Sequence, residues 1–257
     1  MADYNIVKKY WELTAEKLGT DPRATIKDHQ FRLLEIDTIK NYLTENDVVI
    51  DIGCGNGYST LEYAKIVKEI TGIDYSKNMI KFANEASKKI KGKNNFEFKI
   101  GDILNIELPE NYYHVAISER CLINLPSNMD QERAVLNIYK SLKMGGKFII
   151  AEVTLEGHRK INALRELFGL DKIKVHWHNV YIKEEEFLPF LLKYFKLLET
   201  KRFGMYQFLS KIVHPLLVEP EEPKFEAKIN EIARIIGEKI TNFKDASHQV
   251  MFILEKK

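Results

Sequence analysis

The sequence predicts an α/β fold in which a parallel sheet carries helices on both faces. Between residues 46 and 153, short β-rich runs alternate with helical patterns. The first run, VVIDI at Val48–Ile52, is almost continuously apolar, as is typical of a strand buried on both faces. Glycines follow this run directly, and a helical pattern follows the glycines. Regular alternation of this kind favours a parallel sheet with crossover helices.

The remaining elements of this segment follow in order along the chain. After the first strand we expect a helix over 59–67 and a strand over 70–74. Ser76 is a suitable N-cap for a helix that ends near residue 90. Strands are expected over 96–100 and 114–118, then a helix over 128–143 that Gly145 and Gly146 terminate, and a fifth strand over 147–153.

The flanking segments are expected to complete one domain spanning residues 1–257. Residues 1–45 are helical in pattern and form a predicted cap, and helices are expected over 157–169 and 184–194. Strands over 196–203 and 247–255 extend the core, which we place at 46–203 and 247–257. The intervening residues 204–246 form a predicted helical insertion or lid that contains a Pro220-Glu221-Glu222-Pro223 break. Its last helix has one apolar face, formed by Phe225, Ile229, Ile232, Ile236, Ile240 and Phe243.

Composition and charge exclude several classes of protein. The chain is 45% hydrophobic and 30% charged, as in ordinary globular proteins. A net charge of only +2 gives no basic footprint of the kind that duplex nucleic acid selects. Two cysteines support neither a disulfide framework nor a cysteine-based zinc site, and we expect no metal. No apolar run approaches the ~18 residues of a membrane span, and the first residues lack the apolar core of a signal sequence, so we expect a cytoplasmic protein.

The glycine-rich loop after the first strand carries the chemistry. It reads Asp51-Ile52-Gly53-Cys54-Gly55-Asn56-Gly57 and leads into a helix, whose first N–H groups are free. A dinucleotide-binding loop would be spaced G-x-G-x-x-G, whereas this one is G-x-G-x-G. Asp51 in the strand would repel a diphosphate and suits a ligand with an ammonium group. An NAD-dependent oxidoreductase is therefore disfavoured.

Two further acids stand at the ends of the next strands. Asp74 ends the second strand, where a carboxylate can accept both ribose hydroxyls. Asp102 follows the third strand and is suitably placed to accept from an adenine amino group. Carboxyl ends of parallel strands share one edge of the sheet, which is the ligand-binding edge in open α/β folds. The sequence therefore predicts an adenosine-containing ligand at this edge.

The series DIGCGNG, GIDYS, GDIL, HVAISERCLINLP and LKMGGKFIIAE resembles the class I S-adenosylmethionine-dependent methyltransferases over roughly residues 46–153. The resemblance implies a Rossmann-like, seven-stranded, mostly parallel sheet with an antiparallel edge strand, and S-adenosylmethionine as cofactor. Carried over by position, it implies that Gly53, Gly55 and Gly57 line the methionine and ribose portions. The resemblance also implies that Asp51 contacts the amino group, that Asp74 holds the ribose hydroxyls, and that Tyr75 is a further cofactor-binding residue. It implies that Asp102 and Ile103 contact adenine, that Ser118 and Glu119 lie at the sulfonium end, and that Tyr10 or Trp11 closes over the carboxylate.

The outer segments resemble methyltransferases that are described only generically, so they name no acceptor. The segment after the fourth strand lacks the Asn/Asp-Pro-Pro-aromatic run of base-amino methyltransferases. In the run Val175-His176-Trp177-His178-Asn179, His178 is the preferred general base and His176 the second candidate, because histidine titrates near neutral pH. The remaining candidate acceptor-binding residues are Arg120, Glu152, Arg165, Trp177, Tyr206 and His214, with an internal ion-pair network as the alternative role for Arg120, Glu152 and Arg165.

The leading hypothesis is therefore methyl transfer to an oxygen of a small polar or sugar-like metabolite. Two alternatives stay open: an RNA methyltransferase, and a non-catalytic cofactor-binding regulator. We expect the apolar face from Phe225 to Phe243 to pack on the core, with a lid over the active site and a homodimer face as the two alternatives.

Overall fold

The computed structural model of the protein describes residues 3–90, 92, 94–219 and 221–257. Pro220 of the predicted break lies outside the described residues. The described part contains one seven-stranded sheet. Its strands are β1 (Val48–Ile52), β2 (Glu69–Asp74), β3 (Phe96–Ile100), β4 (Tyr113–Glu119), β5 (Leu142–Val153), β6 (Phe195–Arg202) and β7 (Gln249–Lys256).

The strands lie in the order β3-β2-β1-β4-β5-β7-β6. Neighbouring strands from β3 to β5 pair in parallel, whereas β7 runs antiparallel to both β5 and β6. The predicted mostly parallel, seven-stranded Rossmann-like sheet with an antiparallel pair at one edge is confirmed. The reversed strand is β7, and β6 forms the edge itself. The carboxyl ends of β1, β2, β3 and β4 consequently meet at one edge of the sheet.

Ten α-helices surround the sheet in the described part of the chain. They are α1 (Tyr4–Leu18), α2 (His29–Lys40), α3 (Tyr58–Ala64), α4 (Lys77–Ser87), α5 (Asn128–Ser141), α6 (Leu155–Leu167), α7 (Glu184–Tyr194), α8 (Gly204–Phe208), α9 (His214–Val218) and α10 (Lys228–Lys239). A π-helical turn (Leu209–Val213) joins α8 to α9. The N-cap side chains of Asp3, Asp28 and Ser76 accept the free N–H groups at the starts of α1, α2 and α4. No helix of the described residues is long and apolar enough to cross a membrane.

Alternation along the strands divides the core into two layers. Ile50 and Ile52 of β1 pack in one layer beneath α5 and α7, whereas Val49 packs in the other beneath α2 and α3. Asp51 shares the side of Val49, so its carboxylate lies under α3 and not among the α5 side chains. Both faces of the sheet are therefore covered, as the buried VVIDI run predicts.

The helical insertion between β6 and β7 packs against the N-terminal helices. The Tyr206 hydroxyl donates a 2.6 Å hydrogen bond to Asp28 Oδ1, and Arg234 Nε donates to Gln30 Oε1 at 3.0 Å. The predicted apolar face of the last insertion helix is not fully buried: Ile232 and Ile240 are each 41% exposed. Ala233 and Asn230 are buried instead. A Cβ at Gly237 would lie 3.2 Å from Tyr206 Cβ, so small residues on this side let α10 approach α8 closely.

Element boundaries differ from the expected ones by a few residues. Strand β5 begins at Leu142 and not at residue 147, because α5 already ends at Ser141 and the two glycines lie within the extended segment. The third strand ends at Ile100, so Asp102 lies two residues beyond it. These shifts move no predicted site residue away from the carboxyl edge of the sheet.

Candidate active site

One cavity of about 710 Å³ opens at the carboxyl edge of the sheet. It is within the range of about 300–1,000 Å³ that is typical of small-molecule sites. Gly53, Asp74 and Ile103 line it from the sheet side, Trp11 lines it from α1, and Lys211 lines it from the insertion. The cap, the sheet edge and the insertion therefore enclose a single space.

The glycine loop turns sharply between β1 and α3. Gly53, Gly55 and Gly57 have φ angles of 72°, 55° and 77°, which L side chains rarely adopt. A Cβ on Gly55 would lie 2.5 Å from Thr25 Cγ2, and one on Gly57 would lie 2.7 Å from Phe98 Cζ. Gly53 lines the cavity directly, whereas Gly55 and Gly57 allow the loop to fold back onto its neighbours.

Asp74 ties this loop to the second strand. Its Oδ2 accepts the Gly55 N–H at 3.0 Å and its Oδ1 accepts the Ser76 N–H at 2.9 Å. Burial raises the pKa of Asp74 to about 6, although the two amide donors oppose the shift. Each carboxylate oxygen keeps a further lone pair, so Asp74 can accept two more donors from a ligand in the cavity. Tyr75 lines the same wall.

Asp102 is already engaged by the N-terminal helix. The Tyr4 hydroxyl donates to Oδ1 at 3.0 Å, and Lys8 Nζ lies 2.6 Å from Oδ2. Burial alone would raise the pKa of Asp102, but hydrogen bonds from Lys8, the Leu104 amide and Tyr4 bring it below its usual value. Its neighbour Ile103 is buried and lines the cavity. Helix α1 is thus attached to the position that the sequence assigns to adenine recognition.

A buried charged cluster lies at the end of β4. It comprises Arg32, Glu35, Asp51, Glu119, Arg120 and Glu152. Arg120 adopts a φ of 54°, and its guanidinium pairs with Glu35 and lies 3.8 Å from Glu119 Oε2. Glu35 also accepts from Gln249 Nε2 at 3.0 Å. Arg120 is therefore held in an internal ion-pair network, which was the alternative to its predicted role in acceptor binding.

Acids outnumber cations in this cluster, and burial raises their pKa values. The pKa of Asp51 is raised to about 7 by burial and by the Glu119 carboxylate, with the Thr60 hydroxyl opposing at 2.5 Å. Burial raises the pKa of Glu152 to about 8, while the Leu122 amide donates to its Oε1 at 2.8 Å. Within the described chain, Glu119 Oε2 and Glu152 Oε2 are buried without a hydrogen-bond partner. This edge of the sheet is therefore electrostatically suited to a cation.

The two predicted histidines form part of an aromatic wall opposite the sheet edge. The His178 ring stacks on Tyr10 at 4.7 Å and on His176 at 5.6 Å, and it meets the Trp11 ring edge-on at 5.7 Å. His178 is only 8% exposed, whereas His176 lies at the surface. Burial and the nearby His176 lower the pKa of His178 to about 4, so its imidazole is neutral at pH 7.

Several other residues that were predicted to bind the cofactor or the acceptor do not line the main cavity. Trp177 is 55% exposed and lines a separate pocket of about 70 Å³ beside Asn124. Tyr206 is buried with its hydroxyl on Asp28, and Glu152 holds the turn that follows β4. Ser118 is buried, and its Oγ has no partner among the described residues. These side chains support the walls of the cavity and are not on its surface.

The insertion contributes lining residues that the sequence analysis missed. His214 and Arg165 were predicted and do line the cavity, but Ser210, Lys211 and His248 were not singled out as site residues. The irregular backbone at Lys211 could have been predicted from the sequence. Pro215 stands four residues later in a helical segment and cannot donate the helical hydrogen bond to the Lys211 carbonyl. Among the described residues, no set of three His, Cys, Asp or Glu side chains converges to hold a metal ion.

Known proteins with this fold and sequence pattern were compared with the chain. A profile of the family described as a methyltransferase domain matches residues 43–190. A carboxy-S-adenosyl-L-methionine synthase from Nautilia profundicola is 31% identical over 133 residues, which are 51% of this chain and 55% of that protein. A demethylmenaquinone methyltransferase from Desulfitobacterium hafniense is 32% identical over 118 residues, 44% of this chain and 46% of that protein. The chain thus spans about half the length of the curated relatives it matches.

The solved structure of phosphoethanolamine N-methyltransferase 1 from Haemonchus contortus, which contains phosphoethanolamine and S-adenosylhomocysteine, has the same fold. Its TM-score is 0.65 at 16% identity, covering 98% of this chain and 48% of that one. The sheet order, the glycine loop and the acids at the strand ends define a class of α/β proteins that bind an adenosyl ligand at the carboxyl edge. Because the family profile covers more than half of the chain, this protein belongs to the methyltransferase-domain family. The resemblance of the sequence to the class I S-adenosylmethionine-dependent methyltransferase family is thereby confirmed.

Proposed function

We propose that the protein transfers the methyl group of S-adenosylmethionine to an oxygen of a small polar, sugar-like metabolite. The observation that carries the acceptor class is a group of polar atoms without hydrogen-bond partners on residues that line the cavity. His178 Nδ1, Asn179 Oδ1, Ser210 Oγ and Asn230 Oδ1 are buried and lack a hydrogen-bond partner within the described chain. Buried polar groups normally form hydrogen bonds, and an acceptor rich in hydroxyl groups would supply the hydrogen bonds that these four atoms lack.

The residues at the sheet edge fit the cofactor. Asp74 has free lone pairs for the ribose hydroxyls, and Ile103 offers an apolar surface to adenine beside Asp102. The acids Asp51 and Glu119 match the positive ammonium and sulfonium groups of the cofactor. The bound cofactor supplies an already activated methyl group on its sulfonium sulfur.

His178 is the general base in this proposal. Its ring lines the cavity, its Nδ1 is unpaired among the described residues, and its imidazole is neutral at pH 7. Its pKa of about 4 makes it a weaker base than the near-neutral histidine that the sequence predicts. Bound S-adenosylmethionine would supply the methyl group to the acceptor oxygen, and His178 would accept the proton of that hydroxyl. His176 supports the ring of His178 by stacking and lies at the surface itself.

The cap residues align the reactants and limit the entry of water. Trp11 Nε1 donates to Asn124 Oδ1 at 3.1 Å, which attaches α1 to the turn after β4. The stacked Tyr10 and His178 rings close the gap between α1 and the 176–179 loop. Because the electrophile is already activated, alignment of this kind accounts for most of the rate, contributing up to about 7–11 kcal/mol.

Methyl transfer from labelled S-adenosylmethionine to a metabolite panel tests this function. The panel should contain sugars, hydroxy acids, phenols and amines, with S-adenosylhomocysteine and the methylated product quantified by mass spectrometry. We expect a methylated oxygen on a hydroxyl-rich acceptor and no comparable transfer to amines. Exclusive N-methylation would contradict the acceptor class, and cofactor binding without transfer to any member would favour a non-catalytic cofactor-binding role.

A further inference from the structure

The insertion contains a helical segment that is interrupted by a π-helical turn, and residues of this turn line the cavity. α8, the π-helical turn and α9 are consecutive from Gly204 to Val218. Pro215 has no N–H, so it cannot donate to the carbonyl of Lys211, its partner in an α-helix. The Nη1 group of Arg165 donates to that carbonyl instead, and Arg165 Nε donates to the Asp171 carbonyl at 2.6 Å. Turns of the π type occur often at functional sites, where they change the direction of a side chain.

The Lys211 ammonium lines the cavity without an ion pair. Among the described residues, no carboxylate lies within the 4.0 Å of a salt bridge to Lys211, although the side chain is half-buried. Asp28 attracts it electrostatically, but Asp28 Oδ1 already accepts the Tyr206 hydroxyl at 2.6 Å and the Phe31 N–H at 3.1 Å. Burial lowers the pKa of Lys211, and the positive Arg165 adds to this effect while Asp28 opposes it. A partly buried cation without a partner is costly unless a ligand supplies the negative charge.

The groups around Lys211 are also suited to an anion. Ser210 Oγ is buried without a partner in the described chain, and His214 lines the same wall. Lys174 and Lys224 stand at the exposed rim, while Glu222 faces Arg165 electrostatically. The lining acids Asp51, Asp74 and Glu119 belong instead to the carboxyl ends of β1, β2 and β4, where the cationic cofactor is expected. Of the lining groups near Lys211, the cations Arg165, Lys174 and Lys224 outnumber the acids Asp28 and Glu222.

We propose that Lys211, together with Ser210 and His214, binds a carboxylate or phosphate group carried by the methyl acceptor. This inference rests on the proposed transfer to a small acceptor and adds that the acceptor is anionic. The charge at Lys211 would fix which hydroxyl of the acceptor reaches the methyl group, because an oxyanion held at the insertion orients the rest of the molecule across the cavity. Arg165 acts as a positioning residue, since its guanidinium shapes the turn that presents Lys211.

The experiment uses the protein saturated with S-adenosylhomocysteine and titrated with malonate or inorganic phosphate at constant ionic strength. Tryptophan fluorescence reports binding, because Trp11 lines the cavity. We expect at least one of the two anions to bind, and Lys211→Met to weaken its affinity about 10-fold or more, since a charge-assisted hydrogen bond is lost. Lys211→Arg should retain most of the affinity, and the dicarboxylate and phosphate arms distinguish the two kinds of acceptor group.

Lys172→Met is the matched control, because Lys172 is exposed on the neighbouring loop and pairs with Glu166. Its anion affinity should equal that of the wild type, and S-adenosylhomocysteine should bind all variants equally. Absence of anion binding to the wild type, or equal affinity in Lys211→Met, would overturn the proposal. Loss of S-adenosylhomocysteine binding in Lys211→Met would also overturn it, since Lys211 would then hold the cofactor. Failure of the wild type to bind S-adenosylhomocysteine would instead contradict the proposed function.

Discussion

Lys8 Nζ in the first helix lies 2.6 Å from Asp102 Oδ2, one residue before Ile103 in the cavity wall. Helix α1 is also attached to α4, where Glu12 accepts the N–H groups of Lys77 and Asn78 at 2.7 and 3.1 Å. The cap is therefore fixed over the cofactor end of the cavity by contacts on two sides.

Replacing Lys8 by methionine should destabilise this attachment by about 1 kcal/mol, because Asp102 is mostly buried while Lys8 is partly solvated. For a chain of this length the melting temperature should fall by about 2–4 °C, measured by calorimetry at pH 7. Lys9→Met, at an exposed neighbouring position, is the control. The Asp102 pKa is lowered in the folded state, so its contribution is present above the unfolded value near 4 and should shrink as the pH falls below about 4. Equal melting temperatures for the two variants would contradict this assignment.

Cofactor affinity should increase with pH through the titration of Asp74. Its folded pKa is raised to about 6, and only the charged carboxylate can accept two ribose hydroxyls with both oxygens. Binding of S-adenosylhomocysteine should therefore strengthen between pH 5 and 7, as measured by isothermal calorimetry. Burial also raises the pKa of Asp51 to about 7 and that of Glu35 above its usual value. The test is therefore the difference between the wild type and Asp74→Asn, whose affinity should be lower and less pH-dependent. If the affinity for S-adenosylhomocysteine changed equally with pH in both proteins, Asp74 would not be a cofactor-binding residue.

The buried pair of Glu35 and Arg120 should be essential for stability. Glu35 is fully buried, and Glu35→Leu leaves Glu119, at 3.8 Å, as the remaining ion-pair partner of the Arg120 guanidinium among the described residues. Loss of one partner of a buried pair typically costs about 3–5 kcal/mol, which denaturant unfolding would detect. Lys65→Met, which breaks the exposed pair with Glu62, should cost less than about 0.5 kcal/mol. The double variant Glu35→Leu/Arg120→Met should be more stable than Glu35→Leu alone; a further loss would show that Arg120 has additional partners.

Turnover should depend on His178 more than on His176. With an acceptor from the panel, His178→Gln should lower kcat by about 100-fold or more, because general base catalysis typically contributes 10²–10⁴-fold. The affinity for S-adenosylhomocysteine should not change, and His176→Gln is the matched control. Since the pKa of His178 is about 4, its neutral form persists to low pH, and kcat should not fall through protonation of this residue between pH 7 and 5. Equal kcat values for His178→Gln and the wild type would exclude it as the base.

The cofactor half of the site could be predicted from the sequence because its signals are local. Gly53, Asp74 and Ile103 each lie within a few residues of a strand end, and the alternation of strands and helices brings those ends together. The acceptor half depends on contacts between distant segments. The Arg120 guanidinium meets Glu35 from 85 residues away, and the Arg165 guanidinium reaches the Lys211 carbonyl across 46 residues.

Helix α10 of the insertion is another element whose packing could not be predicted from the sequence alone. The apolar spacing in α10 predicts an inward stripe that includes Ile232, but Ala233 and Gly237 face the neighbouring helix α8. Periodicity measures where apolar residues lie around a helix, whereas close packing against Tyr206 requires small ones. The neighbouring helix α8, and not the apolar pattern of α10 itself, therefore determines which face of α10 is buried.

The central claim is that this chain binds an S-adenosyl cofactor at the glycine loop and Asp74. Isothermal calorimetry with S-adenosylhomocysteine tests it most directly. We expect one molecule to bind per chain with an affinity that Asp74→Ala reduces about 10-fold or more, as the loss of charge-assisted hydrogen bonds requires. Asp245→Ala, at an exposed position outside the cavity, should leave the affinity unchanged. Absence of binding, or equal affinity in Asp74→Ala and Asp245→Ala, would contradict the claim.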